Sequence, residues 1–355
     1  MYRYCLLLLL LCCQTTATTQ ADVANMLHQM VNKGHVVGVA AALSGPEGTV
    51  LEINEGFANQ AAQTPFTVNT INRTASISKP MTVVAILQLV EKGLLELDAT
   101  VGTYLPAFQQ GDKAKITVRQ VLGHTSGIRH YRNNKEGNST IHYPTLEAAF
   151  GIVADDELVF APGSDFQYTS YGYNVLGLLI EKQSGRSYAK YLRQHVWEPA
   201  GMTNTSVEEN GKDYPGKSVR YHQRKPGKFK VDEDNDLSDR IPAGGIQSTV
   251  TDLLKFGKAL MAGQLISVES FAEMMTDNGR KKQGNPYGLG LYLYGTRPGV
   301  GELVGHNGSQ LGCSSILFLV PERQITAVVL ANTSGALDQV FPAGVKLLDV
   351  LAEEK

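Results

Sequence analysis

The chain has 355 residues, 43% of them hydrophobic and 19% charged, with a formal net charge of −2. That is enough chain for two subdomains of a soluble globular enzyme. Near-neutral charge without any run of basic residues leaves no electrostatic footprint for nucleic acid or an anionic membrane surface, so neither is expected as a partner.

At the N-terminus, Met1-Tyr-Arg-Tyr leads into an apolar run from Cys5 to Cys13, the charged start and short apolar core of a secretory signal. The run is too short to span a membrane. Small residues around Ala17 and Ala21 put the start of the mature chain between Thr18 and Asp22. Residues 1–21 are therefore set aside as a signal peptide, the mature chain carries no integral membrane segment, and the protein is expected to be periplasmic or extracellular. Lipoprotein anchoring through Cys12 or Cys13 is the lesser alternative, because leucine or cysteine precedes each where a small residue is usual. With Cys5 also in the leader, Cys313 stands alone and no internal disulfide forms. Its apolar surroundings over 313–320 predict a buried strand and a small core hydrophobe.

Past the leader, an amphipathic helix over 22–32 precedes an apolar run over 35–43, a Gly45-Pro-Glu-Gly48 turn and a strand over 50–57, which together signal a hairpin. The segment 81–95 is apolar around nearly its whole circumference and reads as a helix buried on all sides. Ser76 and Lys79 stand at its entrance. Positions three apart share a helix face, so the Lys79 amine can reach the Ser76 hydroxyl, and a helix N-terminus favours the negative charge of an oxyanion. About one Ser-x-x-Lys is expected by chance in a chain this long. Ser187-Tyr-Ala-Lys190 is indeed a second, but Ser187 opens an amphipathic segment as an ordinary N-cap.

Further helices are predicted over 117–122, 145–152, 174–182 and 188–196; the loops 127–143 and 207–240 read as solvated surface, with flanking a cleft as the less common alternative. Thr249-Val-Thr-Asp252 reads as a capping box for a helix over 253–260. Strands over 303–306, 313–320 and 324–331 and a helix over 337–352 complete the chain. The pattern is α/β of the α+β kind: a sheet subdomain from about 22–75 and 241–355, flanked by N- and C-terminal helices, with a mostly helical subdomain inserted over about 76–240. Eight histidines show no ligand spacing, so neither a metal site nor a cofactor is expected.

Ala75-Ser-Ile-Ser-Lys-Pro80, Leu122-Gly-His-Thr-Ser-Gly127, Pro162-Gly-Ser-Asp-Phe-Gln-Tyr168, Pro199-Ala-Gly-Met202 and Ala243-Gly-Gly-Ile-Gln-Ser-Thr249 follow one another in the order of a known family. The chain resembles the serine penicillin-recognising superfamily: class C β-lactamases, D-alanyl-D-alanine carboxypeptidases and LACTB-like hydrolases. The resemblance covers nearly the whole mature chain, residues 22–355. It implies a DD-peptidase/β-lactamase-like fold, with Ser76 as acylated nucleophile and Lys79 as its proton partner. Tyr168-Thr-Ser170 matches the family's Tyr-x-Asn. It implies a proton-shuttling role for Tyr168 and leaves Ser170 with one hydroxyl where an amide would bind substrate. His306-Asn307-Gly308 matches the Lys-Thr-Gly strand, a substrate-binding element in which His306 would be cationic only when protonated. Ser309 follows, and its backbone N–H would form the oxyanion hole with that of Ser76.

The resemblance implies an extracytoplasmic serine hydrolase that forms an acyl-enzyme on an ester or peptide carbonyl, acting on a D-alanyl peptide or as an esterase. Small molecules or short peptides are the expected substrates. A class C-like β-lactamase ranks behind it, because Ser170 and His306 depart from that pattern. A non-catalytic protein that binds cell-wall peptides or assembles is the reading from another class. If His306 faced substrate, activity would turn on a pKa near that of histidine.

Overall fold

A computed structural model describes residues 20–278 and 286–352. The predicted leader, with Cys5, Cys12 and Cys13, lies outside the described residues apart from positions 20 and 21. No helix among the described residues is long and apolar enough to cross a membrane.

Helix α1 (20–32) precedes strands β1 (Gly38–Gly45), β2 (Gly48–Asn59) and β3 (Thr64–Pro65). Near the other end come β4 (Tyr292–Arg297), β5 (Gly301–Gln310), β6 (Cys313–Val320) and β7 (Ile325–Ala331). Together they form one antiparallel sheet in the order β3-β2-β1-β7-β6-β5-β4, so the two ends of the chain meet where β1 pairs with β7. Strands β1, β6 and β7 are buried along their whole length because both faces are covered. Alternate residues serve different cores, as strand periodicity requires. Val39, Ala41, Phe318 and Val329 pack with Val23, Leu27, Val340 and Leu347 of α1 and the C-terminal helix Leu337–Leu348. Ala40, Ala42, Leu319 and Val328 face the larger, helix-filled core.

That larger core centres on α2 (Ser78–Glu91), in which every residue from Ser78 to Leu89 is buried. Helix α3 (Tyr171–Ser184) packs against it, while α4 (Val250–Met261) lies on β7 and β1. The approach of α4 is close enough that a Cβ on Gly257 would come within 2.4 Å of Thr326 Oγ1. The helical insertion and one sheet face therefore share a single apolar interior.

Several predicted elements shift for local reasons. Helix α2 stops at Glu91 rather than 95 because Gly93 adopts φ +68°. The segment over 188–196 is a short helix, Tyr188–Leu192, continued by a π turn, Arg193–Trp197. The loop over 207–240 contains a hairpin, Tyr221–Lys225 with Lys228–Val231. Thr249 does accept from the Asp252 N–H at 3.0 Å, but the Asp252 carboxylate turns to the Asn204 N–H and the Thr205 hydroxyl, so only half of the capping box forms. Strand β4 had no counterpart among the predicted elements, and β5 extends well beyond 303–306.

Arg73 ties the approach to α2 to three other segments. It is 1% exposed, grips Glu208 through Nε and Nη2 at 2.9 and 2.6 Å, and donates from Nη1 to Asn235 Oδ1 at 2.7 Å and the Leu311 carbonyl at 3.1 Å. Burial opposes ionisation of Glu208, yet the hydrogen bonds and charge of Arg73, with those of Lys217, hold its carboxyl down to about 2. A depressed carboxylate stabilises the fold above its unfolded pKa and loses that contribution as pH falls towards 2. Arg73→Met is expected to lower unfolding free energy by about 3 kcal/mol, the cost of stranding a buried charge. Adding Glu208→Leu should recover part of that loss in denaturant titrations; equal stability of wild type and Arg73→Met would refute the assignment.

Candidate active site

The chain turns sharply into α2. Ala75 adopts φ +50°, a left-handed conformation that costs a non-glycine residue on the order of 1 kcal/mol, and Ser76 follows in the one-turn 3₁₀ segment Ala75–Ile77. Such a first turn leaves backbone N–H groups without intrahelical partners, and that of Ser76 is one of them. Lys79, one turn further on, is fully buried. Its Nζ donates to Ser76 Oγ at 3.1 Å and to the Ala243 carbonyl at 3.0 Å. Burial first, and the charge of Arg240 second, push the amine well below the usual lysine range.

Tyr168 comes from the segment ahead of α3. Its ring centroid lies 4.7 Å from Lys79 Nζ, and it lines the same cavity as Ser76. Burial and the neighbouring Tyr292 raise its hydroxyl well above the usual phenol range, against a smaller opposing pull from Ser76. Ser76, Lys79 and Tyr168 thus meet at one point although Tyr168 is remote in sequence. Burial favours the uncharged form of both groups, which for the amine is the form able to accept a proton and for the phenol the form that keeps its own.

These groups open on a cavity of about 380 Å³, whose lining includes Ser76, Tyr168, Ser170 and Ser309. Strand β5 runs beside the Ala75–Ile77 turn so closely that a Cβ on Gly308 would lie 2.5 Å from the Thr74 carbonyl oxygen and 2.3 Å from Ser315 Oγ. Only glycine fits there. Strand β4 pairs with β5 no further than Gly305, so among the described residues the outer edge of β5 beyond that point has no strand partner where it meets the cavity. Ser309 lies on that stretch and lines the cavity together with Ser76.

The rest of the His306-Asn307-Gly308 triplet is placed differently from expectation. His306 is 1% exposed. Its Nδ1–H donates to the Asn307 carbonyl at 2.5 Å and its Nε2 accepts from the Tyr287 hydroxyl at 3.1 Å. Burial, then the charge of Lys79, brings it down to about 3, so it is a neutral structural imidazole and supplies no cation to substrate. Asn307 points to the opposite sheet face, where its amide meets Tyr294, a ring packed on Phe318 and Phe341. Ser170 stays on the cavity, as does Tyr131. Ser187 is exposed at the N-cap of Tyr188–Leu192 and makes no side-chain cap bond. Cys313 is buried in β6, its thiol donating to the Arg73 carbonyl at 2.9 Å.

The cavity also holds residues that sequence reasoning assigned to solvated loops. Arg240 lines it beside Ser76, its side chain 4% exposed. The guanidinium lies 5.0 Å from the Tyr131 ring centroid and 3.3 Å from Asp239, while Nε and Nη2 have no hydrogen-bond partner. Burial raises the Asp239 carboxyl to about 6, which weakens its compensation of that charge. His130 and Tyr131 also face the cavity. The signal for Arg240 was its place directly ahead of Ile241-Pro-Ala-Gly-Gly245, the segment whose Ala243 carbonyl holds Lys79.

The sequence and the fold match those of known proteins. A family model described as beta-lactamase matches residues 23–350. The mitochondrial serine beta-lactamase-like protein LACTB of Homo sapiens is 25% identical, with 86% of this chain and 72% of that protein covered. Penicillin-binding protein 4* of Bacillus subtilis is 29% identical over 78% of this chain, which spans 64% of that relative's length. Among solved structures, the octameric penicillin-binding protein homologue from Pyrococcus abyssi superposes with a TM-score of 0.81 at 28% identity, covering 94% of this chain and 76% of that one.

Proposed function

The chain belongs to the beta-lactamase family and is a serine hydrolase, and from that premise we propose that it is exported and cleaves an ester or peptide carbonyl through an acyl-enzyme on Ser76, in substrates that present a carboxylate to Arg240. The observation that carries this reading is the 3.1 Å contact between a buried, desolvated Lys79 amine and Ser76 Oγ. Neutral Lys79 accepts the hydroxyl proton as Ser76 attacks the carbonyl, and the backbone N–H groups of Ser76 and Ser309 take the developing oxyanion. Tyr168 gives its proton to the leaving group and is reprotonated from the Lys79 ammonium. Water then releases the acyl group by the reverse relay.

Carboxylate preference is supported by charge. Among the described residues lining the cavity Arg240 is the one charged side chain, and neutral His306 offers no cation there. A charge-assisted hydrogen bond is worth roughly 1.5–3 kcal/mol. Mono-p-nitrophenyl glutarate is therefore expected to exceed p-nitrophenyl butyrate in kcat/KM, with the ratio falling about tenfold to a hundredfold in Arg240→Gln. Equal rates on both esters in the wild type would overturn the preference. Loss of the cationic strand residue sets efficient β-lactam turnover behind this reading. Export rests on the sequence of residues 1–21, and cell fractionation with N-terminal sequencing tests it; an intact Met1 in the cytoplasm would end that part of the proposal.

A further inference from the structure

The segment 124–130 holds the tripeptide Tyr168-Thr-Ser170 from below. The His124 carbonyl accepts from the Gln167 N–H at 3.0 Å and His124 Nδ1 from the Thr169 N–H at 3.2 Å. Thr169 Oγ1 donates to the Arg129 carbonyl at 2.6 Å, and His130 Nδ1 accepts from the Ser170 N–H at 3.1 Å. Two successive backbone N–H groups after the catalytic phenol are thus each held by an imidazole Nδ1. A neutral imidazole whose Nδ1 accepts must carry its proton on Nε2. For His124 that proton goes nowhere: the ring is fully buried among Phe166, Tyr168, Tyr173 and Tyr287, and Nε2 has no partner.

His130 differs in one respect, because it lines the catalytic cavity. Its ring lies 4.0 Å from that of Tyr131 and stands edge-on to Tyr168 at 5.9 Å, so its orientation is set on two sides. Among the described residues no hydrogen bond engages its Nε2. Ser170, at the position where the family's amide would contact substrate, offers one short hydroxyl beside Tyr131 and no amide. We propose that His130 is a substrate-positioning residue whose Nε2–H donates to a carbonyl oxygen on the acyl side of the substrate, the donor role that Ser170 leaves vacant. Burial, followed by the charges of Lys79, Arg240 and Arg129, lowers its pKa to about 4, which keeps this tautomer in place at neutral pH. The inference rests on the acyl-enzyme reading and adds a substrate feature to it: an amide or ester oxygen next to the scissile carbonyl.

The test compares two activated esters, N-acetylalanine p-nitrophenyl ester, which carries an acyl-side carbonyl, and p-nitrophenyl butyrate, which does not. His130→Leu is expected to lower kcat/KM for the first about tenfold more than for the second, mostly through KM, the effect of losing one neutral hydrogen bond. His130→Gln, which keeps an N–H donor, should restore part of the preference. If both esters fall in parallel, His130 is an anchor for Tyr168 alone and the proposal is overturned. Should His130→Leu fail to fold, ¹⁵N-histidine NMR of the wild type decides. The His130 Nε2–H resonance should move on acylation by the N-acetylalanyl ester and stay put with the butyryl ester; identical responses overturn it. A wild type that hydrolyses neither ester and takes no fluorophosphonate label fails at the acyl-enzyme reading instead, so the two failures are distinguishable.

Discussion

Ser76→Ala is expected to lower kcat by about 10⁴-fold or more on any ester or peptide substrate and to abolish covalent labelling by a fluorophosphonate, while Ser187→Ala leaves both at wild-type level. The expectation follows from geometry rather than from the shared Ser-x-x-Lys spacing. Ser76 contacts a buried amine and opens, with the Tyr168 phenol, on the cavity. Ser187 is exposed at the start of a surface helix. The hydroxyl lost in the alanine variant is small and Ala75 already sets the turn, so the variant should fold with unchanged near-ultraviolet circular dichroism. Residual turnover would reflect binding and the oxyanion donors acting on water. If Ser76→Ala still forms a stoichiometric adduct, the nucleophile lies elsewhere; if the wild type takes no label, the protein binds substrate-like ligands without turning them over.

Much of this site could be read before any coordinates, and the part that could be read has a physical pattern. Ser76 and Lys79 are coupled within one helical turn, so spacing alone puts them together. Thr249 caps its helix through a bond to its own third neighbour, which is equally local. Tyr168 needed the family resemblance, since nothing in its own segment points to Lys79. What escaped was decided by tertiary context. His306 looked like a titrating residue because isolated histidine titrates near neutrality, but β5 carries it beneath Tyr287 and beside Lys79, where burial removes the charge. Asn307 follows from strand alternation once β5 is known to run to Gln310, and the predicted strand ended too early for that inference. Arg240 and His130 sat in polar stretches with the composition of solvated loops. Their burial comes from segments that fold over the cavity, which composition does not record.

Lys79→Met is expected to cost about 10³–10⁴ in kcat, the scale of a lost general base, while raising thermal stability. The two effects share one cause. The base works only as the neutral amine, so activity is complete above its folded pKa and falls as pH drops through it. Because that pKa is lowered by burial and by Arg240, the acid limb lies well below the ordinary lysine range. Removing the Arg240 charge in Arg240→Gln raises the Lys79 pKa, and kcat for the neutral butyrate ester should then fall off at a higher pH than in wild type. His306 contributes no transition near neutrality, since it is neutral down to about 3. Linkage fixes the stability side. The unfolded chain binds the Lys79 proton more tightly than the folded one, so below the unfolded pKa near 10.5 the wild type becomes less stable as pH falls. Methionine binds no proton. The Tm advantage of Lys79→Met should therefore be larger at pH 6 than at pH 9, as read by calorimetry at both values. A variant that keeps activity within tenfold of wild type, or a Tm difference that widens as pH rises, would show that Lys79 is neither the base nor held neutral.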